Sequence, residues 1–383
     1  IEEDDLADRA LKMPIWHGKR TKTLYAFPSH MEWCERYFLA RQGDPEESTA
    51  LYLAERETAD AGGVVAWEGA RKKADVSALQ SAMHLWHRSP TAFAAEYQNE
   101  PQAKTTVDKE LLTSAAIRTK LNGITRGTVP AELETLTCYV DVQQDVLFWL
   151  VSAWGTGFAG AVVDYGCFPE QNRDYFALVD VRNRLREKYP GRALEGWIYA
   201  GLGDLTAKLL TREFPRFGGG GLRIQRCLID AMWGPSTDVV YQFCRQSPHS
   251  ALLLPSHGRG ITAGNRPMAS WQVKPPGKIG HDWVLSRGDG ARGIVHVTID
   301  TNSWKSFTQT RLSTPIGDKG SLTLFGDDKS PELHRMLSEH LTAEYRTKTT
   351  GHGRDVDEWR QKPDSPDNHW LDCLVGSAVA ASI

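Results

Sequence analysis

Cysteine pairs, long apolar runs and a marked excess of charge are all missing from this sequence, and each absence argues against a class of protein. The six cysteines form no Cys-x-x-Cys pair, and several of them sit inside apolar runs. This argues against zinc sites and disulfide frameworks, and it predicts buried free thiols in a reducing compartment. No apolar run approaches the length of a membrane span, so we expect no membrane partner.

Basic charge is also scarce, because 45 lysines and arginines are outnumbered by 48 aspartates and glutamates, which gives a formal net charge of -3. Any contact with nucleic acid must therefore rely on a local patch or on metal ions. No signal peptide is visible, and the chain begins at Ile1 rather than Met, so we expect it to be a fragment of a longer polypeptide.

A phosphate-binding loop is missing as well. His17, Gly18 and Lys19 resemble the end of a P-loop, but Met13 stands where the first glycine belongs and Arg20 stands in the place of the Ser or Thr. The sequence therefore predicts no nucleotide-binding loop at this position.

The sequence contains a mostly helical front part followed by an α/β pattern. Residues 1–103 combine one short strand with helical periodicity, residues 104–134 form a polar predicted linker, and residues 135–383 form a second predicted domain. The predicted elements of the front part are a strand at 23–27 and helices at 29–42 (N-cap Ser29), 48–59, 76–86 and 92–97.

The second domain opens with three strands that are apolar on both faces, which indicates a sheet covered on both sides. The predicted strands are 136–142, 147–154, 159–165, 224–230, 251–255 and 293–300, and the predicted helices are 175–188, 237–245, 303–312, 332–345 and 368–382. Three meandering strands followed by alternating helices and strands predict an RNase H-like α/β fold, which is a mixed sheet flanked by helices.

Three aspartates occupy positions from which strands and a helix can deliver them to one point. Asp141 lies inside an apolar strand, where an acid must be paired, protonated or metal-bound. Asp230 lies at the carboxyl end of another apolar strand, where α/β sheets usually place ligands. Asp372 lies on the final helix beside its apolar face, and Gly376 leaves room for a close approach to the sheet.

Carboxylate oxygens are the ligands that Mg²⁺ and Mn²⁺ prefer, and two such ions can activate water and stabilise the leaving oxygen of a phosphodiester. The three aspartates therefore predict a catalytic metal site. A single aspartate in a strand is more often solvated or hydrogen-bonded, so the spacing alone leaves a structural interpretation open.

Several neighbouring residues have two interpretations. Asp367 is a secondary candidate ligand, but its position favours an N-cap for the final helix. His369 is another secondary candidate, although a surface histidine is the more common case. Asp164, Asp300 and Glu344 are candidate fourth ligands for which a structural role is favoured.

Basic loops supply the predicted contacts to a DNA backbone. The stretches 257–260 and 274–278 combine cations with glycine or proline, and a merely solvated loop is an equally good interpretation. The candidate DNA-binding residues are Arg259, Lys274, Lys278, Arg287 and Arg292, with Lys305 of the same standing.

Six segments of the second domain occur in an order and spacing that is typical of one family. They are VDVQQDVLFWLVSAWGTGFAGAVVDYG (140–166), CLIDAMWGPSTDVVYQFCR (227–245), IDTNSWKSFTQTRL (299–312), HLTAEY (340–345), EWRQK (358–362) and NHWLDCLVGSAVAA (368–381). Together they resemble the nuclease domain of lambda-type phage packaging terminase large subunits.

The resemblance implies an RNase H-like endonuclease that cuts concatemeric viral double-stranded DNA with two Mg²⁺ or Mn²⁺ ions, leaving a 3′-hydroxyl and a 5′-phosphate. Asp141, Asp230 and Asp372 fall on the family's acids, and Asp367 matches less well. The implied partners are DNA, the portal protein, the small terminase subunit and the ATPase domain of the full-length protein. The implied location is the cytoplasm of an infected bacterium, at the procapsid.

The front part also resembles terminase sequence. KTLYAFPSHMEWC (22–34) is similar to the end of the packaging ATPase domain, and SPTAFAAEYQNEP (89–101) is similar to the segment that joins it to the nuclease. No Walker A motif and no convincing Walker B motif are present, so we expect no ATP hydrolysis from this chain alone. The rival hypotheses are another RNase H-like nuclease, such as a resolvase or an integrase, and a non-catalytic DNA-binding or portal-docking module.

Overall fold

The chain divides into two compact units, Ile1–Thr106 and Val107–Ile383. A computed structural model describes residues 21–43, 45–99, 112–273, 277–288, 293–327, 332–351, 354–363, 365 and 367–383. Within these ranges, no helix has the length and the apolar character needed to cross a membrane. All six cysteines fall inside the described ranges, where each is buried and none takes part in a disulfide.

The first unit is made of short helices around an aromatic core. Its core includes Leu24, Trp33, Tyr37, Phe38 and Phe93. Its elements are strands β1 (Leu24–Ala26) and β2 (Val64–Val65) and helices α1 (Met31–Gly43), α2 (Pro45–Ala54), α3 (Arg56–Asp60), α4 (Ala78–Arg88) and α5 (Pro90–Ala92), the last continuing into a π-helical turn, Phe93–Tyr97.

The predicted elements of this unit are present with shifted ends, except that the helix predicted at 48–59 is divided into α2 and α3. The predicted cap of the first helix is wrong, because the Ser29 hydroxyl donates to the Ala61 carbonyl oxygen at 3.0 Å and the helix begins at Met31.

The second unit is organised around a mixed sheet, in which the described residues form nine strands. The strands are β3 (Thr135–Val142), β4 (Leu147–Trp154), β5 (Gly160–Phe168), β8 (Arg226–Asp230), β9 (Leu253–Arg259), β10 (Lys278–Ile279), β11 (Trp283–Arg287), β12 (Val295–Asp300) and β13 (Leu322–Leu324). Their order across the sheet is β10-β11-β12-β9-β8-β3-β4-β5-β13. Strands β3, β8, β9 and β12 are mutually parallel neighbours, whereas β4 is antiparallel to both β3 and β5.

Helices and hairpins complete the second unit. The helices are α6 (Ser114–Arg118), α7 (Leu185–Lys188), α8 (Leu194–Leu210), α9 (Thr237–Gln246), α10 (Thr301–Ser313), α11 (Arg335–Leu341) and α12 (His369–Ser382). Two further hairpins pair β6 (Phe214–Pro215) with β7 (Gly221–Leu222) and β14 (Glu344–Gly351) with β15 (Arg354–Gln361).

Each face of the sheet has its own core, because alternate side chains of a strand point to opposite faces. One core packs residues such as Phe148 and Leu228 against helix α12. The other packs residues such as Val140 and Ile229 against helices α8 and α9. All eight residues of β4 are buried, as expected of an aromatic and aliphatic strand covered on both sides.

The stretch predicted as a linker, 104–134, is folded from residue 112 onward, and residues 104–111 lie outside the described ranges. Ile117 on α6 is fully buried in the core on the α12 face. Isolated β-bridges join Leu121 to Leu324 and Val129 to Arg216. Residues 112–134 are therefore part of the second unit rather than a connector.

One predicted helix is wrong, and another is present but shorter than predicted. The stretch 175–188 contains only a 3-10 turn, Leu178–Asp180, and the four-residue α7, while the long helix α8 follows it. The helix predicted at 332–345 begins at Arg335 and ends at Leu341, after which the chain enters β14. The β-branched threonines at 347, 349 and 350 favour the strand that follows.

Candidate functional site

Adjacent parallel strands place Asp141 and Asp230 side by side. Val140 on β3 is in register with Ile229 on β8, so the aspartates that follow them are neighbours at the carboxyl ends of the two strands. Both side chains share the face occupied by α12, because Tyr139 and Leu228, two residues earlier on their strands, belong to that core. Asp141 is buried and Asp230 is partly buried.

Helix α12 brings Asp372 to the same point. It packs across β3, β4 and β8 through small residues, and Ser377 forms hydrogen bonds to Thr137 and Ser152. A Cβ at Gly376 would collide with the ring of Tyr139, so the absent side chain is what permits this close contact, as predicted. The Asp372 side chain is 35 % exposed, so this helix presents it at the edge of the cluster.

The three carboxylates influence one another electrostatically. Burial, together with the charges of Asp141 and Asp372, raises the pKa of Asp230 to about 8 against hydrogen bonds from the Met232 and Ala231 amides that lower it. Burial also raises the pKa of Asp372, although the ammonium of Lys305 opposes the shift. This part of the fold therefore concentrates more negative charge than its own hydrogen bonds compensate.

A buried lysine stabilises one side of the cluster. Lys305 on α10 lies with its Nζ 2.5 Å from Glu344 Oε1 and 3.1 Å from Asp372 Oδ1. Asn368 Nδ2 donates to the same Glu344 oxygen at 2.7 Å. Burial lowers the pKa of Lys305, but the charges of Asp372 and Glu344 outweigh burial and raise it overall. Lys305 is therefore an ammonium ion shared by two carboxylates.

The Lys305–Glu344 pair contradicts the predicted DNA contact of Lys305 and gives Glu344 a role other than a metal ligand. Lys305 is 8 % exposed, so its predicted contact to a DNA backbone is wrong. Glu344, a candidate fourth ligand, is engaged by Lys305 and Asn368.

A histidine supports the other side of the cluster. His369 Nδ1 lies 2.7 Å from Asp141 Oδ2, and the imidazole stacks on Phe148 with ring centroids 4.4 Å apart. Burial lowers the pKa of His369, but the hydrogen bond and charge of Asp141 outweigh burial and raise it. His369 is 7 % exposed, so it is not a surface histidine. Gln143 Nε2 also lies 3.1 Å from Asp141 Oδ2.

Asp367 does not cap helix α12, so that prediction is wrong. Its Oδ2 accepts from the Leu178 amide at 2.7 Å, and Asn368 stands at the N-cap position without a side-chain capping bond. The other carboxylate oxygen lies 3.8 Å from His369 Nε2. Asp367 therefore joins the site to the segment around Leu178.

Two other candidate ligands have structural roles. Asp164 pairs with Arg126 at 2.6 Å and with Arg212 at 2.7 Å. Asp300 caps α10 by accepting from the Asn302 and Ser303 amides, and burial raises its pKa to about 6. Within the described part of the chain, neither Asp164 nor Asp300 forms a hydrogen bond or an ion pair with Asp141, Asp230 or Asp372.

The predicted DNA-binding residues are dispersed. Arg259 ends β9, near the edge that carries Asp230, and its guanidinium lies over the ring of Trp271. Lys278 lies on the outermost strand, β10, over Trp283. Arg287 ends β11, which runs antiparallel to β12, so it lies at the opposite edge of the sheet. Lys274 and Arg292 lie outside the described residues.

The carboxylate oxygens of the three aspartates suit a hard cation such as Mg²⁺, although their present positions do not form a coordination group. In the described ranges, no three histidine, cysteine or acidic side chains form a ready coordination group. Two of the three aspartates instead have a partner within the protein: Asp141 pairs with the His369 imidazole and Asp372 with the Lys305 ammonium. Burial and the charges of Asp141 and Asp372 raise the pKa of Asp230, so the ionised form would gain from a bound cation, and carboxylate oxygens are the ligands that Mg²⁺ and Mn²⁺ prefer.

Sequence reasoning missed the Lys305–Glu344 pair as a unit of the site. Lys305 occurs in a helix whose neighbours at positions 304, 308 and 312 are buried, and this helical spacing is the signal that would have placed it inside. Glu344 was assigned to a helix, whereas it begins β14.

These features define an α/β domain with an acidic site at the carboxyl edge of its sheet. The model of one protein family, described as terminase large subunit gpA, endonuclease domain, matches residues 66–383. The chain therefore belongs to the terminase large subunit endonuclease family, whose role is in phage DNA packaging, and the resemblance drawn from the sequence is confirmed. A search of curated proteins found no match.

Proposed function

We propose that this chain is a divalent-metal-dependent endonuclease that cuts concatemeric viral double-stranded DNA during genome packaging. One observation carries the proposal: β3, β8 and α12 bring Asp141, Asp230 and Asp372 into one electrostatically coupled cluster, in which the pKa of Asp230 rises to about 8. The match to a terminase endonuclease family supports the same activity.

The sheet supports an RNase H-like assignment for the second unit. Strands β5, β4 and β3 form an antiparallel meander, and β8 and β9 continue the sheet in parallel on the other side of β3. The three predicted acids fall on β3, on its parallel neighbour β8 and on helix α12, which packs against both. This arrangement places the acids at the carboxyl edge, where α/β sheets usually carry their ligands.

Asp141, Asp230 and Asp372 would hold two Mg²⁺ or Mn²⁺ ions. Bound ions of this kind supply Lewis-acid activation of water and stabilisation of the oxygen that leaves the phosphodiester. They would also relieve the repulsion among the three carboxylates, which adds to burial in raising the pKa of Asp230.

The remaining residues of the site orient these carboxylates. His369 fixes Asp141 through the 2.7 Å contact, and its own ring is held by stacking on Phe148. Lys305 fixes Asp372 while it neutralises the adjacent Glu344. Partners that hold a ligating side chain in place contribute to metal affinity although they do not touch the metal.

A plasmid-cutting assay tests the proposal. The wild-type chain should convert supercoiled plasmid to nicked and linear forms with Mn²⁺ or Mg²⁺ and should lose this activity with a chelator. Asp141→Asn and Asp230→Asn should reduce cutting by at least a hundredfold. Asp318→Asn, an exposed aspartate in the turn that precedes β13 at the other edge of the sheet, should cut as the wild type does.

Three outcomes contradict the proposal. Cutting that survives the chelator and the Asp141→Asn substitution would show that these carboxylates are not the nuclease site. Folded wild-type protein that binds duplex DNA but never cuts it would favour the non-catalytic alternative. Products that arise only from branched junctions would favour a resolvase.

The wider role follows from the family. We infer that the portal protein, the small terminase subunit and the ATPase domain of a full-length protein position DNA for this nuclease at the procapsid, in the cytoplasm of an infected bacterium. The chain contains no Walker A motif, so we expect ATP hydrolysis to depend on sequence other than this.

A further inference from the structure

The segment 176–192, called the edge segment below, crosses the edge of the sheet that carries the acidic site. Phe176 and Val181 are buried in the core on the α12 face. Leu185, four residues later, is fully buried in the core on the α8 face. The chain therefore passes around the edge of the sheet between Val181 and Leu185.

Two backbone anchors place this crossing beside the acidic site. The Leu178 amide donates to Asp367 Oδ2 at 2.7 Å, and Asp367 lies next to His369, the partner of Asp141. The Leu185 amide donates at 2.8 Å to the carbonyl of Asp145, in the turn that follows β3. Both anchors thus lie within a few residues of catalytic candidates, one in α12 and one in β3.

A buried glutamine fixes the crossing point. Gln171 is 5 % exposed, and its Oε1 accepts from the amides of Arg182 at 2.8 Å and Asn183 at 3.2 Å. Its Nε2 donates to the Asn183 carbonyl oxygen at 2.7 Å. Three hydrogen bonds from one buried side chain hold two residues of the segment, so the edge segment is ordered before any partner arrives.

The edge segment is strongly basic in a chain that is acidic overall. It contains five cations and two carboxylates, whereas the whole chain has a net charge of -3. Arg186 Nε lies 3.5 Å from Asp145 Oδ1, so one cation is partly compensated. The exposed cations of the segment are Arg182, Arg186, Lys188 and Arg192.

We propose that the edge segment binds the phosphate backbone of duplex DNA and positions it across the acidic site. This inference rests on the proposed function for the identity of the polyanion. A preordered row of exposed cations suits a regularly charged strand, because each neutralised phosphate releases condensed counterions. The segment contacts phosphates rather than bases, so it confers affinity and register without sequence preference.

The position of the edge segment distinguishes it from Arg287 and Lys278, whereas Arg259, predicted from the sequence, lies near the same edge. Arg287 lies at the opposite edge of the sheet, and Lys278 lies on the outermost strand. The edge segment instead borders the β3 end of the cluster through the turn at Asp145. A duplex held there brings its backbone to the carboxylates.

A matched pair of double variants tests the proposal. Arg182→Glu with Lys188→Glu reverses two exposed charges of the edge segment. Arg223→Glu with Lys319→Glu reverses one arginine and one lysine, also exposed, that lie just before β8 and β13 at the other edge. Both variants change the net charge equally. Binding of a fluorescein-labelled 30-base-pair duplex is measured by anisotropy in chelator, where no cutting interferes, across a salt series.

We expect the edge variant to bind about tenfold or more weakly than wild type near 0.1 M salt, with the slope of log affinity against log salt reduced by roughly two, since two phosphate contacts are lost. The control variant should stay within about twofold of wild type. Equal weakening of both variants, or an unchanged salt slope in the edge variant, overturns the proposal. If charge reversal unfolds the protein, Arg182→Gln with Lys188→Gln must show the same ordering with a smaller effect.

The plasmid assay separates this proposal from the proposed function. Wild-type protein that cuts with Mn²⁺, with an edge variant that binds duplex normally, refutes only the role of the edge segment. Wild-type protein that never cuts, with an edge variant that has lost duplex binding, refutes only the nuclease and leaves the DNA-binding surface standing.

Discussion

Replacement of Lys305 by methionine removes the ammonium that two carboxylates of the site share. Methionine keeps most of the length and the apolar stem of the side chain, so the change in packing is small. After the substitution, the buried Glu344 still accepts the 2.7 Å hydrogen bond from Asn368 but has lost the ammonium. Asp372 then faces the Glu344 carboxylate with no cation between them.

The size of the effect follows from burial. The Lys305 and Glu344 side chains are only 10 % and 4 % exposed, so water does not replace the lost ammonium. Removal of one partner from a buried ion pair costs about 3–5 kcal/mol, because an uncompensated charge stays in the interior. Lys208 and Glu170 form the matched exposed pair at 2.7 Å, with 54 % and 66 % exposure. An exposed pair of this kind contributes roughly 0–1 kcal/mol.

Urea unfolding of Lys305→Met, Lys208→Met and wild type, in chelator between pH 5 and pH 8, measures the difference. We expect Lys305→Met to lose about 3 kcal/mol or more at pH 8 and Lys208→Met to lose less than about 1 kcal/mol. The loss in Lys305→Met should shrink as the pH falls, because burial raises the pKa of Asp372 and a protonated Asp372 no longer needs the ammonium.

Equal losses in the two variants would refute this reasoning, since they would show that Lys305 is not a buried counterion. A loss in Lys305→Met that is the same at pH 5 and pH 8 would point to packing rather than charge as the cause.

Three further predictions follow from the site. Asp230 has a pKa raised from 3.8 to about 8, so its ionisation destabilises the folded protein increasingly as the pH rises between these values. In chelator, Asp230→Asn should therefore stabilise the protein by about 2 kcal/mol at pH 9 and by much less at pH 5. An equal gain at both pH values in thermal unfolding would contradict this expectation. Gly376→Ala should destabilise by about 1–3 kcal/mol because its Cβ has no room, whereas Gly203→Ala, whose nearest neighbour is 4.0 Å away, should be neutral or slightly stabilising in the same melts. Asp372→Asn should abolish Mn²⁺-dependent plasmid cutting, and Asp367→Asn should retain a measurable fraction of it; the reverse order would make Asp367 the ligand.

The sequence predicted most of the sheet because buried strands carry a strong local signal. Strand β4 was predicted at its observed bounds, since its eight residues are apolar or small and end at clear turns. The position of Asp230 at the carboxyl end of an apolar strand, and that of Asp141 inside one, followed from the same pattern. Their adjacency depends on the pairing of β3 with β8, more than eighty residues apart, which no local pattern predicts.

The errors occur where tertiary contacts decide the structure. The stretch 175–188 has helical periodicity, but its residues are divided between two cores on opposite faces of the sheet, which a single straight helix cannot reach. Asp367 has the position of a cap, yet its carboxylate accepts a backbone hydrogen bond from a residue 189 positions earlier. Lys305 is predicted to contact a DNA backbone or solvent, yet it is buried, and its burial depends on two carboxylates from distant elements.

The acids of this site come from parts of the chain that are synthesised far apart, since Asp372 follows Asp141 by more than two hundred residues. Contacts of such long sequence separation form late in folding, because the entropy of closing the intervening loop must be lost first. A proteolytic fragment without α12 thus has two of the three acids and lacks Asp372 as a partner for Lys305. The three carboxylates therefore come together only after α12 has packed against the sheet.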